Sequence, residues 1–177
     1  MTKENSEAEV IGEGKWLRLR KVGKWEWVQR VNTTGVCGLY AFTDANEVVL
    51  VEQPRPPLGG ARVLEIPAGL VGDIVGQEDE ANELAAQREL IEETGYESAA
   101  LRHIVEAPSC PGITEETITL YVARKLKKVG PGGGDESEDI EVHLVPMDEF
   151  NAFIAERIKQ GTWIDPKVFA VPYFFAL

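Results

Sequence analysis

Cysteine is scarce in this chain: Cys37 and Cys110 are the only two in 177 residues, far apart and outside any CxxC spacing. They give poor support to either a disulfide framework or a thiolate zinc site. Histidine is as rare, and His103 and His143 stand alone and read as structural residues. No apolar run approaches the length of a membrane-spanning helix. The stretch from Met1 to Glu9 carries no apolar leader segment and reads as a frayed polar lead-in. Basic residues are in deficit, with 18 Lys plus Arg against 30 Asp plus Glu, and the formal net charge of −12 repels phosphate backbones and anionic membranes. These shortages argue against a nucleic-acid partner, a membrane protein and a disulfide-stapled secreted scaffold. The expected address is the cytoplasm.

What is present suits one globular domain with a small appendage: 44% apolar and 27% charged residues over a length of ordinary single-domain size. Alternation from Gly14 to about Val31, broken at Gly23-Lys24, predicts a hairpin carrying Trp16 on one strand and Trp25 and Trp27 on the other. Strands are expected at Gly35 to Phe42, Glu47 to Glu52, Val63 to Ile66, Leu101 to Glu106, Thr117 to Leu126 and Glu141 to Val145. Pro54 to Gly60, with three prolines and two glycines, is expected to be an ordered loop or lid. Lys127 to Asp139, glycine-rich and then acidic, is expected to be a mobile loop. Helices are expected from Asp79 to Thr94, ended by Gly95, and from about Met147 to Gln160, ended by Gly161. Interleaved strands and helices point to an α/β fold with helices layered on a mixed sheet.

The first helix concentrates the chemistry. A 100° wheel places Ala81, Leu84, Ala85, Arg88 and Ile91 on one side, so Arg88 sits on an apolar face and needs a partner, which Glu92 supplies at i+4. Glu89 and Glu93 fall on an adjacent face, also at i+4. Like charges there repel, and both lie where the helix dipole is negative, each effect costing a few tenths of a kcal/mol to about 1 kcal/mol. A bound divalent cation reverses the sign of both effects. All-oxygen donors with no nearby His or Cys favour Mg²⁺ or Mn²⁺ over zinc.

Glu80, seven spacers, then Arg88-Glu89-Leu90-Ile91-Glu92-Glu93-Thr94-Gly95-Tyr96 resembles the Nudix box of the nucleoside-diphosphate-X hydrolases. One departure stands out. The box's leading glycine normally precedes the first glutamate by five spacers, whereas ten residues separate Gly69 from Glu80, a five-residue extension of the loop from Leu70 to Asp79. Glu52 to Gly60, Glu65-Ile66-Pro67-Ala68-Gly69, Pro111 sixteen residues after Gly95, the Trp16/Trp25 hairpin and the ending Val171 to Phe175 resemble the ADP-ribose and ADP-sugar pyrophosphatases of that superfamily.

The resemblance implies a Nudix-type α/β/α sandwich around a mixed sheet, residues 35–177, preceded by a lead-in and β-hairpin extension, residues 1–34, exchanged between the subunits of a homodimer. It implies hydrolysis of the diphosphate of ADP-ribose or a related ADP-sugar to AMP and a sugar phosphate, with Mg²⁺ or Mn²⁺ as cofactor. The metal ligands it implies are the carbonyl of Ala68, Glu89, Glu93 and Glu138, and Glu136 matches the general base. Trp16 and Trp25 would sandwich the adenine, one from each subunit. Arg30 and Arg55 are the candidate phosphate-binding cations, and Glu116 the contact to the terminal ribose or to an arginine. Strict alternation sets Arg30 and Trp25 on opposite strand faces. Two alternatives remain open: a Nudix-fold nucleotide-binding regulator without turnover, and a broader nucleotide-sugar or oxidised-nucleotide diphosphatase.

Overall fold

Alternation along one central strand builds both halves of the core. The computed structural model describes residues 8–74, 76, 78–134 and 138–177. The elements in chain order are β1 (Glu9–Glu13), β2 (Leu17–Val22), β3 (Trp25–Arg30), β4 (Gly35–Phe42), β5 (Glu47–Arg55), β6 (Ala61–Glu65), β7 (Ala68–Val71), α1 (Asn82–Thr94), β8 (Tyr96–Pro108), β9 (Thr117–Lys128), β10 (Glu141–Pro146), α2 (Phe150–Lys159), β11 (Trp163–Ile164) and α3 (Val171–Phe175). Cys37, Leu39 and Ala41 of β4 face α1, where they meet Ala85, Ala86 and Leu90. Tyr40 and Phe42 face the other way, into a layer closed by Phe150 and Ile154 of α2 and by Val171 and Phe174 of α3. Helices thus cover both faces of the sheet, as expected for an α/β/α sandwich.

The sheet is mixed, in the order β11-β6-β5-β4-β9-β8, with β10 on β5 and β7 on β4. Strand β4 runs parallel to β9 and antiparallel to β7, where Gly38 lies opposite Ala68. Strands β1 to β3 form a separate three-stranded antiparallel sheet. It meets the main body through the Val28 N–H on the Ile113 carbonyl, 2.8 Å, and through Trp27 Nε1 and Gln29 Nε2 donating to Glu115, each 2.7 Å.

Several local expectations give way to tertiary context. The hairpin gains a third strand, β1, which pairs with β2 from Glu9 onward. Pro54 to Gly60 is ordered, as one of its two readings had it, but more regular than a loop: β5 continues to Arg55, Pro56–Leu58 form a 3₁₀ turn, and Gly59 in the left-handed region closes a hairpin pairing Arg55 with Ala61. The prolines fit because they sit at a strand end and a helix start, where no N–H is needed. Helix α1 begins at Asn82, three residues later than the acidic run suggests. Its buried residues are Ala85, Ala86, Leu90, Glu93 and Thr94, while Leu84 is 65% exposed, so of the wheel's apolar side only Ala85 is fully packed. The chain after Gly161 adds β11, a 3₁₀ turn (Pro166–Ala170) and α3.

Candidate active site

Glu89 and Glu93 lie on the buried side of α1, against β7. Glu93 is 5% exposed and accepts the Ala68 N–H at 2.9 Å. Burial pushes its carboxyl up to about 8 despite that bond, with Glu89 and Glu138 adding to the rise. Burial likewise raises Glu89 to about 7, against the opposing pull of Arg88. Two acids that resist ionisation on desolvation alone are primed for a cation.

Arg88 organises the acids around it. Its guanidinium holds Glu80 through Nε and Nη2, both 3.2 Å, Glu89 at 2.8 Å, Glu92 at 3.1 Å and Asp73 at 3.4 Å, and donates to the Leu70 carbonyl at 3.0 Å. The expected Arg88–Glu92 pair is present as one spoke of a hub, and the extended loop contributes Asp73 to it.

The helix end is closed by the glycine-rich segment expected to be mobile. Gly133 and Gly134 donate their N–H groups to the carbonyls of Glu93 and Glu92, at 2.8 and 3.0 Å, and Lys128 Nζ reaches the Thr94 carbonyl at 2.8 Å. These bonds satisfy carbonyls that an isolated helix leaves open. They offset the dipole penalty that the sequence assigns to the terminal acids, so burial is the dominant strain on Glu89 and Glu93.

A cleft of about 410 Å³ opens over these acids. It gathers Arg30, Arg55, Ala68, Glu89, Glu93, Glu116 and Glu138, all expected there from the sequence. Arg30 Nε donates to Glu116 at 2.7 Å, and Arg55 Nη2 lies 2.5 Å from Glu65. Of the two contacts expected of Glu116, the one to an arginine is present. Gln53, Glu65, Asp73, Ser109 and Lys167 also line the cleft and were not singled out in the sequence. Alternation from Arg55 could have found Gln53, whereas Lys167 arrives from the far end of the chain and carries no local signal.

Next to it lies a wider cleft of about 970 Å³ that shares Arg30, Leu70 and Asp73 with the first. Trp16, Lys15, Asn32, Thr33 and Thr34 line one side, and Gly72, Ile74 and Glu78 of the extended loop line another. Trp25 lines neither. The β2–β3 register, Leu17 opposite Arg30 and Val22 opposite Trp25, sets the two tryptophans at opposite ends of the ribbon, roughly 20 Å apart along it at about 3.3 Å per residue. Both are more than half exposed. Glu136 lies outside the described residues.

Among the described residues no three acidic, histidine or cysteine side chains form a ready-made metal cage. The donor set is nevertheless oxygen-rich and desolvated, which fits Mg²⁺, a cation held by one or two carboxylates together with substrate phosphates.

A family model for the NUDIX domain matches residues 31–168. The chain belongs to the Nudix family. This Nudix chain is 37% identical over 128 residues to a methanol dehydrogenase activator of Bacillus methanolicus, covering 72% of this chain and 66% of that protein. It is 32% identical over 128 residues to an ADP-ribose pyrophosphatase of Mycobacterium tuberculosis, covering 72% and 58%. To an ADP-sugar pyrophosphatase of Mus musculus it is 32% identical over 187 residues, covering 92% and 82%. The first two matches span less than two thirds of those relatives' lengths. A crystal structure described as an ADP compounds hydrolase superposes with a TM-score of 0.66 at 17% identity, covering 84% of this chain and 80% of that one, a likeness of fold. No helix among the described residues is long and apolar enough to cross a membrane.

Proposed function

We propose that the chain is a Mg²⁺-dependent hydrolase that splits the diphosphate of ADP-ribose or a related ADP-sugar into AMP and a sugar phosphate. The observation that carries this reading is the pair Glu89, half-buried, and Glu93, buried beside Ala68, on α1 and opening into a cleft that also holds Arg30 and Arg55. The relatives described as ADP-ribose and ADP-sugar pyrophosphatases support the substrate class. Glu89, Glu93 and Glu138, with the Ala68 carbonyl, are the groups that would hold Mg²⁺ or Mn²⁺, which when bound neutralises the diphosphate and acidifies the attacking water.

The chain's own residues divide the remaining work. Arg30, braced by Glu116, and Arg55, braced by Glu65, present fixed cations to the phosphates against a strongly negative overall charge. Trp16, beside Arg30 in the wider cleft, offers an aromatic face to the adenine. Trp25 serves the same adenine from a second subunit, through a homodimer joined by the N-terminal sheets, whose exposed Val10, Ile11, Leu17 and Leu19 suit a contact face. Glu136 takes the proton from the attacking water.

Incubation with ADP-ribose and Mg²⁺ tests the reading: AMP accumulates with the wild-type chain and not with Glu93→Gln. Absence of AMP above that control defeats it. A regulator without turnover gains weight from the relative described as a methanol dehydrogenase activator. Tight nucleotide binding without metal dependence and without product would favour it. A panel including GDP-mannose and oxidised nucleotides separates a broader diphosphatase.

A further inference from the structure

Glu52 and Gln53 are neighbours on β5 with opposite duties. Gln53 faces the cleft, whereas Glu52, 3% exposed, faces away from it into a separate polar cluster. There Arg62 Nε donates to Glu52 Oε1 at 3.1 Å and its Nη2 to the Glu52 carbonyl at 2.9 Å. His143 Nε2 lies 3.2 Å from Glu52 Oε2, and Arg157 Nη1 lies 3.5 Å from the same oxygen. Burial and then Arg157 hold His143 below its ordinary range, so it adds little positive charge. The two arginines share the buried Glu52 carboxylate, and both also reach the exposed Glu141, at 3.9 and 4.0 Å. Of the two, Arg62 alone reaches Asp139, with Nη1 on its Oδ2 at 2.9 Å.

Asp139 is joined directly to Glu138, which lines the cleft beside Glu93. Gly133 and Gly134 donate their N–H groups to the end of α1. Gly134 is in the left-handed region, and a Cβ there would collide with the Glu138 side chain. The Asp139 side chain is largely exposed, and an ion pair with such a partner adds little to stability. Its geometric consequence is larger, because it pins the backbone next to a cleft carboxylate.

We propose that Arg62 is a positioning residue for the metal cleft, fixing the placement of Glu138 through Asp139. The inference rests on the hydrolase reading above and adds to it a residue that lies outside the cleft. Outer partners of this kind typically govern metal affinity by 10- to 100-fold.

Arg157 supplies an internal control, since it shares both Glu52 and Glu141 with Arg62 and does not touch Asp139. The experiment measures Mn²⁺ binding by electron paramagnetic resonance with a non-hydrolysable methylene analogue of ADP-ribose present. It also measures the Mg²⁺ concentration for half-maximal AMP release, and the Tm. Arg62→Met and Asp139→Asn should each weaken Mn²⁺ binding about tenfold or more. Asp139→Asn should do so at unchanged Tm, and the double variant should be no worse than Arg62→Met. Arg62→Lys should recover part of the affinity. Arg157→Met should lower Tm and leave Mn²⁺ binding as in the wild type. Wild-type affinity in Asp139→Asn, or an equal loss in Arg157→Met, overturns the proposal while leaving the hydrolase reading intact. A wild-type chain that neither takes up Mn²⁺ nor releases AMP sinks both.

Discussion

Gly69 and Glu89 occupy one another's space. A Cβ built on Gly69 would fall within the Glu89 carboxylate, so the close approach of β7 to α1 requires the one residue without a side chain. The glycine thereby sets how near that carboxylate lies to Ala68 and to the cleft floor. Gly69→Ala is expected to displace Glu89, lower Mg²⁺-dependent turnover by an order of magnitude or more, and cost about 1–3 kcal/mol of stability. Steady-state kinetics with a denaturation curve checks both, and a variant with wild-type turnover would contradict the account.

Arg88 is the counter-charge for several acids at once, and its planar fork reaches Glu80 through two nitrogens. Arg88→Met leaves largely buried carboxylates unpaired and should cost about 3–5 kcal/mol. Arg88→Lys keeps the charge and loses the fork, so it should rescue only part of that loss. Chemical denaturation of the three proteins side by side is the check.

Stability should depend on pH in an uncommon direction. Glu93 and Glu89 are raised to about 8 and about 7 from 4.5. Between pH 4.5 and 8 the folded state therefore binds more protons than the unfolded one, and stability from these groups is lost as pH rises through that window. In EDTA the Tm should fall from pH 5 to 8. Mg²⁺, which competes with those protons, should raise Tm more at pH 8 than at pH 6. Thermal melts of wild type and Glu93→Gln decide it: the variant should show a shallower slope, and an unchanged slope would assign the effect elsewhere.

The two tryptophans can be separated by their consequences. Trp16→Ala should raise KM for ADP-ribose by the equivalent of about 1–3 kcal/mol of lost stacking, with a small change in Tm because the ring is exposed. Trp25→Ala should do the same only in a dimer. Sedimentation alongside KM measurement tests this, and a monomer with a Trp25 effect, or a dimer without one, would remove the exchanged-hairpin arrangement.

Much of the site was legible in the chain order because α-helical spacing fixes angles within an element. Glu89, Glu92 and Glu93 follow Arg88 on one helix, and Gly95 ends it in the left-handed region as its sequence position suggests. Strand alternation separates the two halves of the core along β4 in the same way.

Periodicity gives relative positions around an axis and is silent about which side the rest of the chain covers. Leu84 is therefore exposed while Glu93 is buried, because β7 and β4 pack on the acidic side of α1. The partners of Arg88 at Asp73 and Leu70, the glycine cap on the helix end, and the Arg62–Asp139 pair join segments distant in sequence. No local pattern encodes such meetings. The residue types needed for a cation were set by the sequence, and the desolvation that shifts those acids away from the ordinary carboxylate range was decided only when the sheet closed over them.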